Sequence, residues 1–198
     1  CHWGQIFEAA VADVYEVTSA VPELILDVGG NIGGFSCFAA WMHRGARVHA
    51  FEPQADEAAA FRANVERNGL TNVILHETLV TRDGREVTFY ENPANRGASS
   101  MFFGEASGRK RGSVSLDWVP LSTARSLFVK LDCEGSEGEL IGWLCAHRAE
   151  LPPRVWVACE YHPWCPVPLA DSMEQLRAAG FRAEVKLKLD ETYLFAGR

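Results

Sequence analysis

Short apolar runs alternate along the chain with segments whose apolar residues recur every three or four positions. Residues 24–28, 48–52, 73–80, 127–131 and 155–159 are runs of strand length. Apart from His76-Glu77-Thr78 in the third they are mostly apolar, as strands buried on both faces of a sheet are. Between them, Phe35, Phe38, Ala39 and Met42 make one helical stripe, and Ala58, Phe61 and Val65 make a second over residues 55–68, closed by Asn68-Gly69. Ser136, with Glu139 three residues on, predicts a capped helix whose inner face is Leu140, Trp143, Leu144 and His147. Asp171 with Glu174 predicts a last helix on Met173, Leu176 and Ala179, stopped by Gly180. Ahead of the first strand, Phe7, Val11, Val14 and Tyr15 predict an amphipathic leading helix within residues 4–20. A turn at 81–85 leads into an alternating strand at 86–90. Residues 181–189 and 192–196 predict an antiparallel pair around Asp190-Glu191.

Strands alternating with helices predict an α/β fold, a mostly parallel sheet with helices on both faces and a C-terminal antiparallel hairpin. No repeat or composition break divides residues 1–198, so one domain is expected. Residues 91–115 carry little periodicity, and so long an irregular piece is expected to be a lid or substrate loop. Its apolar cluster is Met101-Phe102-Phe103.

Composition narrows the function classes. The 198 residues are 47% hydrophobic with a net charge of −7, which argues against a general affinity for nucleic-acid backbone. Arg109-Lys110-Arg111, flanked by glycines, reads as a solvated loop. No apolar run approaches the roughly 20 residues of a membrane span. The six cysteines contain no CxxC pair, so they are expected to be reduced and the protein cytoplasmic. The chain begins at Cys1, which points to a trimmed sequence.

The run Leu26-Asp27-Val28 breaks into Gly29-Gly30-Asn31-Ile32-Gly33-Gly34, a buried strand turning sharply into a helix with backbone brought close to a ligand. Glu52, at the tip of the next strand, lies 23 residues after Gly29. There an acceptor-only carboxylate can take both hydroxyls of a ribose. A dehydrogenase needs glycine at the third position of the loop, where Asn31 stands, so a nicotinamide cofactor is disfavoured. The Gly-Lys-Ser/Thr of a phosphate-binding loop is also absent.

The glycine motif, Phe51-Glu52-Pro53, Asn64 before Asn68, and Lys130-Leu131-Asp132-Cys133-Glu134-Gly135-Ser136-Glu137 together resemble the FkbM family of class I S-adenosylmethionine-dependent methyltransferases. The resemblance spans residues ~21–165, most of the chain. It implies a Rossmann-like, seven-stranded class I methyltransferase fold and S-adenosylmethionine as cofactor. The implied cofactor residues are Asp27, Gly29, Gly30, Asn31, Gly33, Glu52 and Pro53, with Thr78 and Leu79 at the adenine edge. Asp27 would lie beneath the amino group of the methionine part. Family members more often carry alanine where Gly30 stands, an exchange expected to be tolerated. The resemblance further implies O-methylation of a small-molecule hydroxyl, on a sugar, a polyketide or another secondary metabolite.

Methyl transfer to a hydroxyl calls for alignment and a base. Candidates sit at the carboxyl ends of the fourth and fifth core strands, where open α/β sheets place their ligands. In order, they are Glu134, His162 and Asp132, with Lys130 and Glu160 beside them. Asp132 and Glu134 alternate along a strand and so are expected on one face, with Glu137 completing an acidic cluster. Asp132 and Glu134 are also the pair that would hold a divalent ion, which the reaction does not require. Lys130 reads equally as a neutralising partner for the acids. His2, His43, His49, His76 and His147 show no paired spacing. Two other readings remain open: an RNA or protein methyltransferase, and a non-catalytic cofactor-binding domain. The sequence carries no code for the acceptor's identity or for oligomeric state.

Overall fold

A computed structural model describes residues 12–92, 99–102 and 108–198. Its central sheet has seven strands: β1 Leu24–Val28, β2 Arg47–Phe51, β3 Val73–His76, β8 Ser126–Leu131, β9 Arg154–Glu160, β10 Arg182–Lys188 and β11 Glu191–Gly197. Their spatial order is β10-β11-β9-β8-β1-β2-β3. Every pairing from β9 across to β3 is parallel, and β11 runs antiparallel to both neighbours. The order reverses between β1 and β8, which puts the topological switch point beside the glycine loop.

Alternate strand residues enter two separate cores, the period-2 consequence of a sheet buried on both faces. Leu24, Leu26, Val28, Leu127, Val129 and Leu131 pack with Leu140, Ile141, Trp143 and Leu144 of α3 (Glu137–Ala146) and Leu176 of α4 (Leu169–Ala178). Ile25, Val48 and Phe128 pack on the other side with Phe35, Ala39 and Ala40 of α1 (Gly34–Met42) and with Val14, Tyr15 and Val17. The remaining helix, α2 (Ala55–Arg67), buries Ala58 and Phe61.

Several expectations are corrected. Over residues 12–20 the chain forms a turn and a short 3-10 helix, Val17–Ser19, rather than an amphipathic helix. The earlier part of that predicted helix falls outside the described residues. The 73–80 run splits into β3 and a short β4, Leu79–Val80, which leaves the main sheet to pair with β7, Ser113–Val114. The 91–115 stretch also contains β6, Arg109–Arg111, paired with β5, Val87–Phe89, so the basic triplet is a strand and not a loop. The rest of the expected lid, including Phe103, lies largely outside the described residues. Met42 is 40% exposed. Neither predicted cap forms: Ser136 makes no side-chain cap, Glu139 instead accepts from the Arg82 amide and the Arg85 guanidinium, and α4 starts at Leu169, ahead of Asp171. The hairpin turns at Leu189-Asp190, both at positive φ, one residue before the predicted turn. His49 and His76, 27 residues apart in sequence, meet across β2 and β3 at 3.0 Å between Nδ1 and Nε2.

The glycine loop is shaped by the protein itself. Gly29 and Gly33 have φ of +83° and +85°, and a Cβ on Gly29 would stand 1.7 Å from the Asp132 carbonyl oxygen. A Cβ on Gly33 would enter the Phe61 ring at 2.5 Å, and one on Gly30 would approach Phe61 Cε1 at 2.8 Å. The space expected for a ligand against these α-carbons is filled by β8's end and by α2. Gly29→Ala therefore combines a left-handed backbone with a backbone clash and should cost about 3 kcal/mol or more. Gly30→Ala, opposed only by a side chain at ordinary φ, should cost about 1–2 kcal/mol. Urea denaturation of the two variants checks the order; equal midpoints would refute it.

Candidate active site

The β1–β8 register sets the first part of the site, since Asp27 stands directly across from Lys130. The Lys130 ammonium donates to the Gly29 carbonyl at 2.6 Å and lies 3.1 Å from Asp27 Oδ1 and 3.3 Å from Asp132 Oδ2. Burial opposes the charge on Lys130, yet Asp27 and Asp132 outweigh it and hold the ammonium more firmly than in water. Asp27 is fully buried and accepts from Ser36 Oγ at 2.6 Å. Burial raises its pKa against the pull of Lys130 and Ser36. Lys130 thus stands between the carboxylates of Asp27 and Asp132 in the buried junction of β1 and β8.

A cavity of about 290 Å³ opens at the carboxyl ends of the strands. Gly29, Asn31, Glu52, Pro53, Thr78 and Leu79 line one part of it, and Asp132, Glu134 and Glu160 line another. Of the expected cofactor residues, Gly30, Gly33 and Asp27 are not on its wall; they support it from behind. Glu52 is 4% exposed, and its two oxygens accept from the Asn31 and Gln54 amides, each at 2.8 Å. Burial pushes its pKa up to about 7, although the two amides and Lys130 oppose the shift.

The acidic cluster does not arise from strand alternation. β8 ends at Leu131 and Glu134 has φ +54°, so a left-handed turn returns Glu134 to the side of Asp132. β9 ends at Glu160 and His162 follows it. His162, 6% exposed, places Nδ1 2.8 Å from Glu137 Oε1 and Nε2 3.7 Å from both Glu134 Oε2 and Glu160 Oε1. Burial alone would lower the imidazole's pKa, but Glu137, Asp132 and Glu134 push it up to about 9. Glu134 is pushed up to about 7 by burial and by Asp132 and Glu137. Its Oε2 is buried and has no hydrogen-bond partner among the described residues. Burial and Asp132 also lift Glu160 above the usual carboxylate range. Asp132 moves the other way, because Lys130 and His162 overcome its burial.

Two tyrosines complete the group. Tyr15 OH lies 3.1 Å from Asp132 Oδ2 and 3.2 Å from Glu160 Oε2, and Tyr193 OH donates to Glu160 Oε2 at 3.1 Å. Sequence reasoning missed both. Tyr15 looked like an apolar helix position, and no local signal ties it to residues more than a hundred positions away.

The sequence profile of the methyltransferase FkbM domain matches residues 27–183. The chain belongs to the FkbM methyltransferase family. The 31-O-demethyl-FK506 methyltransferase FkbM of Streptomyces tacrolimicus is 37% identical over 89 residues, 44% of this chain and 33% of that protein. The matched part is thus about a third of that relative's length. Among solved structures, the precorrin-6y C5,15-methyltransferase of Geobacter metallireducens aligns with a TM-score of 0.57 at 16% identity, covering 94% of this chain and 86% of that one. An S-adenosylmethionine-dependent methyltransferase of Aquifex aeolicus aligns with a TM-score of 0.53 at 15% identity, covering 96% and 91%. At such identities these two establish the class I methyltransferase fold.

The cavity's donor set suits the cofactor of an FkbM methyltransferase. S-adenosylmethionine, when bound, supplies an electrophilic methyl group on a sulfonium. Glu52 offers lone pairs for two ribose hydroxyls, Phe51, Leu79 and Val80 offer an apolar wall, and Asp132, Glu134 and Glu160 favour a cationic ligand. Ionised Glu52 is the better acceptor, so affinity for S-adenosylhomocysteine should rise as pH climbs through about 7. Calorimetry should find the deficit of Glu52→Gln near tenfold, about 1.4 kcal/mol, at pH 8 and smaller at pH 6. A deficit independent of pH would refute the role. Lys130→Met leaves Asp27 buried and unpaired and should cost about 3–5 kcal/mol. Adding Asp27→Asn should return part of that loss in urea denaturation.

Proposed function

We propose that this FkbM-family chain O-methylates a hydroxyl of a small molecule, using S-adenosylmethionine. The observation that carries the reading is the single cavity shared by the glycine loop, Glu52 and the acidic group at the ends of β8 and β9. An in-line transfer needs the acceptor on the far side of the methyl from sulfur, with a proton acceptor beside its oxygen. Glu134 suits that role on geometry: it lines the cavity, and its buried Oε2 has no hydrogen-bond partner of its own. The proton moves from the acceptor hydroxyl to Glu134, while Asp132 and Glu160 hold the surrounding charge. The S. tacrolimicus relative, a 31-O-demethyl-FK506 methyltransferase, supports an oxygen of a small molecule as acceptor. An acidic cavity and a net charge of −7 disfavour a polyanionic acceptor such as RNA.

The test supplies the full chain with methyl-labelled cofactor and a panel of hydroxylated macrolides and glycosides, alongside RNA and protein extracts. The expected outcome is micromolar or tighter binding of S-adenosylhomocysteine and label recovered as a methyl ether. Glu134→Gln should lower kcat by about 10²–10⁴-fold with cofactor affinity retained. Label entering RNA or protein, or an unchanged kcat for Glu134→Gln, would overturn the reading.

A further inference from the structure

We propose that Asp132, Glu160 and His162 form a binding site for a divalent first-row cation of the Mn²⁺ type, at the acceptor end of the cavity. One oxygen of Asp132, one of Glu160 and one nitrogen of His162 lie within 4.8 Å of one another. His162 Nε2 is 3.7 Å from Glu160 Oε1 and 4.0 Å from Asp132 Oδ1. Those separations are too long for hydrogen bonds. They suit atoms that share a cation at the ordinary 2.0–2.3 Å bond lengths.

The outward atoms of the same three side chains are all tied. Asp132 Oδ2 faces Tyr15 OH and Lys130, Glu160 Oε2 faces Tyr15 OH and Tyr193 OH, and His162 Nδ1 faces Glu137 Oε1 at 2.8 Å. Glu137 has no exposed surface and is itself fixed by the Cys133 and Gly135 amides at 3.0–3.1 Å. Among the described residues the inward atoms, Asp132 Oδ1, Glu160 Oε1 and His162 Nε2, make no hydrogen bond; Asp132 and Glu160 are half-buried and line the cavity, and His162 is buried beside them. A carboxylate that orients the far nitrogen of an imidazole is the usual support for a ligating histidine. The set as a whole has a tied outer shell and an open centre.

Imidazole among the donors favours a transition-series ion over Mg²⁺ or Ca²⁺, and two carboxylates favour Mn²⁺ over softer ions. The purpose of the site rests on the methyl-transfer reading: a cation there takes the acceptor hydroxyl as a further ligand and makes it more acidic. Its existence does not depend on that reading, so the two fail separately.

The test uses the full chain stripped with chelator, then titrated with MnCl₂ while the free-ion electron paramagnetic resonance signal is followed. One equivalent should bind with micromolar affinity. The near-isosteric Glu160→Gln and His162→Gln should each weaken it by 10–100-fold. Urea denaturation followed by far-ultraviolet circular dichroism on the same samples reports that the variants are folded, and calorimetry measures S-adenosylhomocysteine binding separately. Mn²⁺ binding that is absent from wild type, or unchanged by both variants, would overturn the cation site. If S-adenosylhomocysteine binds normally in that case, the methyltransferase reading stands. Mn²⁺ binding lost in the variants, with no S-adenosylhomocysteine binding by wild type, would uphold the cation site and defeat the cofactor reading.

Discussion

The Lys130 ammonium is the contact on which the geometry of the site depends. It is held between Asp27, Asp132 and the Gly29 carbonyl, with only 4% of its side chain exposed. Burying such a group costs several kcal/mol, repaid only when every donor has an acceptor. Here the acceptors come from β1, from the loop after it and from the end of β8. One side chain therefore locks the two strands at the topological switch point. The Gly29 α-carbon against the Asp132 carbonyl closes the same junction from the backbone side. Loosening either contact would let the glycine loop and the acidic turn, which line one cavity, drift apart.

That junction also explains why the acids differ in character. Asp132 sits next to Lys130 and stays ionised, while Glu160 and Glu134, farther from the lysine and buried, are pushed toward the neutral form. Equal residue types thus take unequal roles through distance from one cation. His162 is held upright by Glu137, so its second nitrogen points at all three carboxylates.

The sheet was legible because its strands announce themselves as continuous apolar runs, and because Gly29 to Gly33 and Glu52 carry local chemistry. The glycine loop and Glu52 line one cavity, as their places at neighbouring strand ends imply. Other features were not legible because they depend on pairing at a distance. The 73–80 run is apolar at both ends of His76-Glu77-Thr78 and reads as one strand, but β4 leaves the main sheet to join β7, a partner within a stretch that lacks periodicity. Ser136 and Glu139 match a capping pattern, yet Glu139 finds a better partner in the Arg85 guanidinium, which local sequence does not reveal. Strand alternation suggested that Asp132 and Glu134 face together. They do line one cavity, but through a left-handed residue at Glu134, which carries a cost of about 1–3 kcal/mol.

Backbone strain at Glu134 stands two residues from Asp132, which faces Glu160 and His162 at the end of the neighbouring strand across an open centre. A turn optimised only for stability would place glycine, asparagine or aspartate at such a φ and would let the second imidazole nitrogen reach a carboxylate as the first reaches Glu137. Instead Glu134 keeps a longer acid in a left-handed backbone, with one oxygen unbonded among the described residues, and His162 Nε2 stands 3.7 Å from it. Both departures leave room at the same end of the cavity. Strain and unsatisfied polar atoms persist where the surrounding structure over-determines them. Here that surrounding structure is the Glu137 carboxylate, the two tyrosines and Lys130, which together hold the walls of the cavity apart.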